Sequence, residues 1–111
     1  MNASAIGYYG DTGSNAVDES HEPGQGFLAD VVVAWERAAD PAREAGVRVV
    51  HPRTGLVVSA AGGAWGRMVP LFRLGLGGRM GNGAQYWSFI SMADELAALT
   101  YLVEESTFSC L

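Results

Sequence analysis

Arginine carries all seven positive charges of this chain, and two of them, Arg73 and Arg79, flank or sit in a glycine-rich stretch from Gly75 to Gly83. A guanidinium is a planar fork of donors that fits a diphosphate. Five glycines in nine residues, Gly78 among them, describe a backbone that turns repeatedly and leaves room for a ligand. The pattern is not a dinucleotide fingerprint: Gly-x-Gly-x-x-Gly would require glycine where Met80 stands, and the run follows a helical segment instead of a strand. No Gly-x-x-x-x-Gly-Lys occurs either. The stretch therefore reads as a substrate-side loop, with plain surface solvation as the alternative for each arginine. Arg53 follows a strand and precedes Thr54-Gly55, so it either pairs with an acidic residue on the following helices or touches an anionic substrate.

The absence of lysine removes Schiff-base chemistry. His21 lies in an acidic loop with Asp18, Glu19 and Glu22, and His51 lies ahead of Pro52. Neither has a second ligand at metal spacing, so no metal site is expected. Cys110 is alone, which leaves no disulfide and no cysteine metal site. At 111 residues the chain is one domain at most, and 49% apolar content argues against disorder. A net charge of −5 speaks against nucleic acid and anionic membrane surfaces as partners. With no signal-peptide progression and no long apolar run, a cytoplasmic location is the expectation.

The elements that must position these residues alternate between strand and helix. Residues 1–10 read as a strand end running into a turn, and 11–26 as a loop. A helix follows from Phe27, with Leu28, Val31, Val32, Trp35, Ala38 and Ala39 on its inward face. Pro41 kinks or restarts it with Asp40 as cap, and Gly46 closes it. Val47–Val50 is a strand, Leu56–Ser59 its continuation or a second one, and Pro52 interrupts the ladder. Residues 62–74 form a loose helix limited by Pro70, and Trp65 and Trp87 read as core. Ser91-x-x-Asp94 is a capping box that opens a last helix with Met92, Leu96, Leu99 and Val103 as a buried stripe. The tail 106–111 reads as unstructured. The order predicts an α/β fold with a mostly parallel sheet, short of strands to close it.

Four blocks in this order resemble an atypical, extended branch of the short-chain dehydrogenase/reductase superfamily, the nucleotide-sugar-epimerase-like proteins. They are Ala3-Ser-Ala-Ile-Gly-Tyr-Tyr-Gly10, Phe27-Leu-Ala-x-Val31 with Trp35-Glu36, Arg53-Thr-Gly55, and Pro70–Gly78. The resemblance implies a partial Rossmann-like, doubly wound domain over residues 1–105, the C-terminal half of an NAD(P)-binding unit. The cofactor's glycine fingerprint would lie upstream. By position, Ser4 matches the residue that polarises the reacting group, with a small residue ending a buried strand as the alternative. Tyr8 or Tyr9 stands in as acid or base, Tyr9 matching the tyrosine of a Tyr-Gly turn. With no lysine partner to lower a tyrosine pKa, a structural or cofactor-stacking role is the favoured alternative. Gly81-x-Gly-x-Gln85 resembles the substrate-side motif of extended members, which adds Gln85 to Arg53, Arg73, Gly78 and Arg79 as substrate-binding candidates.

The chain also departs from the pattern. The Tyr-x-x-x-Lys dyad is absent, its positions falling on Phe27 or Leu28 with Val31 or Val32. Trp87 stands where relatives place a diphosphate-clamping arginine, and Ser91 and Ala93 stand where they have His and Asp. The expectation is thus part of an NAD(P)-dependent epimerase-like oxidoreductase or isomerase acting on a small molecule such as a nucleotide sugar. Alone it would bind no NAD or NADP tightly and turn nothing over. The competing expectation is a truncated, non-catalytic product that acts as an interaction module and self-associates through exposed sheet edges.

Overall fold

The computed structural model describes residues 1–59, 61–79 and 81–105, so the expectation for the 106–111 tail falls outside the described residues. In chain order it holds β1 (Ser4–Ala5), a 3₁₀ turn (Ile6–Tyr9), α1 (Phe27–Arg37), α2 (Asp40–Glu44), β2 (Arg53–Thr54), β3 (Leu56–Val58), α3 (Gly63–Arg73), β4 (Phe89–Ser91) and α4 (Met92–Glu104). The alternation is α/β as expected, and both strand pairs are parallel. Ser4 pairs with Arg53 and Ala5 with Thr54, while Leu56–Val58 pairs with Phe89–Ser91. Parallel neighbours need a long crossover. The first is supplied by α1 and α2, the second by α3. Leu56–Val58 is therefore a separate strand and not a continuation.

The strand expected at Val47–Val50 is displaced toward the C-terminus, onto Arg53–Thr54. Val49, Val50 and His51 are buried all the same. The Asn2 N–H donates to the Val50 carbonyl at 2.9 Å and the Ser4 N–H to the Pro52 carbonyl at 3.0 Å. Pro52 does not break this pairing, because the neighbouring chain uses its carbonyl and not the N–H it lacks.

Helix α1 begins at Phe27 as predicted, and the expected face turns inward only in part, with Val32 buried and Val31 half-buried. Ala29 and Val32 are buried and Val33 and Glu36 half-buried, at i, i+3, i+4 and i+7, whereas Leu28 is 68% and Trp35 54% exposed. Two apolar stripes run along this helix. The inward one carries the small Ala29 and lets α1 lie close to the 3₁₀ turn, where a Cβ on Gly7 would stand 3.7 Å from Val32 Cγ2. Asp40 is not a cap: Ala39 takes that place, and the Asp40 carboxylate accepts instead from Arg43 Nη1 at 2.7 Å. Gly46 does close the helix pair. Its N–H bonds the Arg43 carbonyl and the Val47 N–H bonds Ala42, a turn that needs the positive φ of 79° found at this glycine.

Helix α3 runs through Pro70 to Arg73. Ser91 caps α4, its Oγ accepting from the Asp94 N–H at 3.0 Å and donating to Asp94 Oδ2 at 2.7 Å. Asp94 thus reaches back to the Ser91 hydroxyl and not to its amide. The stripe predicted as buried on α4 is mostly exposed at Met92, Leu96 and Val103, and Leu102 is the residue that is buried. Trp87 is likewise exposed. Periodicity identifies an apolar face, but burial needs a neighbour to cover it. The radius of gyration is 16.5 Å, against about 13 Å for a compact domain of this length.

Candidate functional site

Register puts the first functional pair together. Ser4 of β1 and Arg53 of β2 are partners in the parallel ladder, and α1 packs over them to bring in Glu36. Glu36 Oε1 accepts from Ser4 Oγ at 2.6 Å and from Arg53 Nε at 2.9 Å, and Oε2 accepts from Arg53 Nη2 at 3.0 Å. The remaining corner of the guanidinium, Nη1, donates to Tyr9 Oη at 2.9 Å. Arg53 Cζ lies 3.5 Å from the centroid of the Tyr8 ring, a stacked cation–π contact. The 3₁₀ turn is what aims both tyrosines at this arginine. Gly24 pins the turn from behind: its N–H donates to the Tyr8 carbonyl at 2.9 Å, and a Cβ there would stand 2.5 Å from the Tyr9 carbonyl carbon.

The side chains of Arg53 and Glu36 are 15% and 14% exposed, so this is a largely dry, two-pronged ion pair. Burial pushes the Glu36 carboxyl up, but the Arg53 and Ser4 hydrogen bonds and the Arg53 charge more than offset it and hold it below its ordinary value. The hydrogen bonds of Arg53 to Glu36 raise the guanidinium further above its usual range, against the opposing effect of burial. Of the two roles left open for Arg53, the ion pair is the one formed, and its partner lies on the preceding helix, not a following one.

Tyr9 also borders an open cleft of ≈ 930 Å³ whose wall includes Asp11, Thr12, Ser14, Asn82 and Gln85. Among the described residues that line it there is no arginine or histidine, and its ionisable carboxylate is Asp11. Such a wall presents no cationic side chain to a diphosphate. It offers hydroxyl and amide groups to an uncharged polar ring. Tyr9 and Gln85 therefore meet at one cleft, whereas Arg73, Gly78 and Arg79 are exposed and do not line it. Arg79 packs instead across Gly83. The pyrophosphate of NAD or NADP does not fit this lining, and no glycine fingerprint stands in for it.

On the other side of Arg53 a smaller hollow of ≈ 280 Å³ is lined by Tyr8, Glu36, Arg37, Asp40, Arg43 and His51, among others. Arg43 Nη2 lies 3.1 Å from His51 Nε2. Because a guanidinium can only donate, this contact requires an unprotonated Nε2. Burial holds the His51 pKa below its ordinary value. The Glu36 charge opposes that shift, and the Arg43 and Arg53 charges reinforce it. No cluster of three metal-ligating side chains occurs among the described residues. Sequence reasoning missed Glu36 as a site residue, although Trp35-Glu36 belongs to one of the resemblance blocks and Arg53 was expected to find an acidic partner on a helix. Position was a further signal: it falls seven residues after Ala29, on the inward stripe of α1.

A parallel β-α-β unit with its polar cluster at the end of the first strand is a Rossmann-type arrangement, and solved structures agree. The nucleoside-diphosphate sugar epimerase of Corynebacterium glutamicum superposes with a TM-score of 0.90 at 37% identity, over 97% of this chain and 23% of that one. The human epimerase family protein SDR39U1, solved with NADPH, gives a TM-score of 0.85 at 32% identity, over 97% of this chain and 37% of that one. No family model matches the chain. In sequence it is 51% identical over 109 residues, 98% of its length, to an epimerase family protein of Mycobacterium bovis. Along nearly its whole length the chain is thus similar to epimerase family proteins, and it spans about a third (36%) of the length of that relative. Among the described residues no helix is long and apolar enough to cross a membrane.

Proposed function

We propose that this chain is the substrate-side segment, over residues 1–105, of an NAD(P)-dependent, nucleotide-sugar-epimerase-like oxidoreductase or isomerase. Tyr9 is the group that gives or takes a proton, and the cleft beside it seats the sugar ring. The observation that carries this reading is the position of the Tyr9 oxygen, which accepts from Arg53 Nη1 at 2.9 Å while the residue lines the cleft. Arg53 cannot accept, so the phenolic hydrogen points away from it. Gln85, Asn82 and Thr12 supply donors and acceptors for sugar hydroxyls. Ser4 acts through Glu36, because its hydroxyl is already donated there. Tyr8 contributes to a cofactor contact only through the ring face that Arg53 leaves open. Arg73, Gly78 and Arg79 serve the diphosphate end, outside the cleft. The dinucleotide itself belongs to the longer architecture of the relatives, and this chain alone holds it weakly.

The test is an amide NMR titration of the chain with uridine diphosphate glucose and, separately, with NADPH. The nucleotide sugar is expected to shift the Tyr9, Asn82 and Gln85 amides, and Tyr9→Phe to weaken that binding. NADPH is expected not to bind in the micromolar range. A titration that leaves the cleft amides unmoved, or micromolar NADPH binding, rejects this reading.

A second reading, an interaction module, is favoured by the apolar outer face of α1, where Phe27, Leu28 and Trp35 are exposed. Sedimentation velocity decides it. Concentration-dependent dimers that Leu28→Ser abolishes would support it, and a monomer at all concentrations would not.

A further inference from the structure

Arg53 is held in two ways at once. Glu36 grips two of its nitrogens, Nε and Nη2, at 2.9 and 3.0 Å, which fixes the direction of the fork within its own plane. Tyr8 lies 3.5 Å beneath the guanidinium and fixes the plane itself. With both settled, Nη1 has a single direction to point, and Tyr9 Oη stands there at 2.9 Å. The carboxylate is in turn oriented by Ser4, a residue 7% exposed, whose hydroxyl is 2.6 Å from Oε1.

We infer that Glu36 is the positioning residue of the cleft: through the two-pronged grip on Arg53 it sets where the Tyr9 hydroxyl stands. This rests on the reading of Tyr9 as the group that meets substrate. A glutamine at position 36 cannot replace the grip, because one of its two terminal atoms is a donor facing another donor. An aspartate keeps the charge but is one methylene short, so it draws the fork away from Tyr9.

The test uses the full chain and two readouts. The first is the Arg53 Nε–H resonance, which the wild type should show as a sharp signal displaced by the Tyr8 ring current. The second is affinity for uridine diphosphate glucose. In Glu36→Gln the displaced signal should vanish while the amide spectrum stays dispersed. Affinity should fall by about tenfold, as in Tyr9→Phe, and the double variant should bind no worse than either. Retention of the Arg53 signal in Glu36→Gln overturns the inference, as does wild-type affinity in that variant beside a weakened Tyr9→Phe. If the wild type binds no nucleotide sugar, the proposed function fails and the Arg53 signal alone decides for Glu36: loss supports the inference and retention overturns it. Should Glu36→Gln not fold, Ser4→Ala and Glu36→Asp take its place. A faster-exchanging or shifted Arg53 signal in them supports the inference, and an unchanged one overturns it.

Discussion

Replacing Arg53 with methionine keeps most of the side chain's length and removes only its charge and donors. Glu36 is then left with a side chain 14% exposed and Ser4 as its remaining partner. Removing one member of a buried pair costs about 3–5 kcal/mol. The residual exposure here lowers that to about 2–3 kcal/mol, and a sulfur–aromatic contact with Tyr8 recovers part of the lost stacking. For a chain of this size the loss corresponds to a fall in Tm of roughly 10 °C. The pH dependence is the sharper test. In the wild type the folded-state pKa of Glu36 lies below its ordinary 4.5, so its stabilising contribution is complete above that value and is lost as pH falls through the folded one. In the variant burial acts with Arg53 gone, the folded-state pKa rises, and the penalty of the stranded carboxylate disappears on protonation. The stability gap between the two proteins should therefore be widest near neutrality and narrow toward acid. Urea unfolding across that pH range measures it. A gap below about 0.5 kcal/mol at neutral pH, or one that does not narrow in acid, refutes the buried-pair argument.

Gly24→Ala should destabilise the chain by about 1–3 kcal/mol, because the new Cβ lands on the Tyr9 backbone and pushes the 3₁₀ turn away from Arg53. Urea midpoints together with loss of the Arg53–Tyr8 ring-current signature would register both effects. His51 has a folded-state pKa below its ordinary 6.5, so its contribution is present above that value and is lost as pH falls through the folded one. Stability measured between about pH 7 and pH 5 should decline for the wild type and decline less for His51→Gln. Ser91→Ala removes the α4 cap and should cost about 1 kcal/mol in a thermal melt, without altering binding at the cleft.

Alternation and some of the caps and closures were legible in the sequence because their physics is local, while Asp40 as a cap and Pro52 as a break were misread. The Ser91 cap, the Gly46 closure and the start of α1 at Phe27 each depend on groups within about one helical turn. The α/β order was legible for the same reason. The resemblance carried by Ala3–Gly10 and Arg53–Gly55 singled out Ser4, Tyr8, Tyr9 and Arg53, and these four do converge. The reading went wrong where a face had to be chosen. Leu28, Trp35, Met92 and Leu96 obey the helical period, yet what covers a stripe is set by other segments.

The sequence by itself determined the alternation of strand and helix, though not the bounds of β2, and that this chain has arginine and no lysine to set beside Tyr9. Tertiary structure decided that Glu36 organises that arginine, that Ser4 gives its hydroxyl to Glu36, and that Tyr9 and Gln85 border one cleft while Arg73 and Arg79 stay outside it. The physical reason is range. A cap or a turn is settled by neighbours along the chain. An ion pair across a crossover exists only once the parallel ladder has set Ser4 beside Arg53 and α1 has packed its Ala29 side down over both.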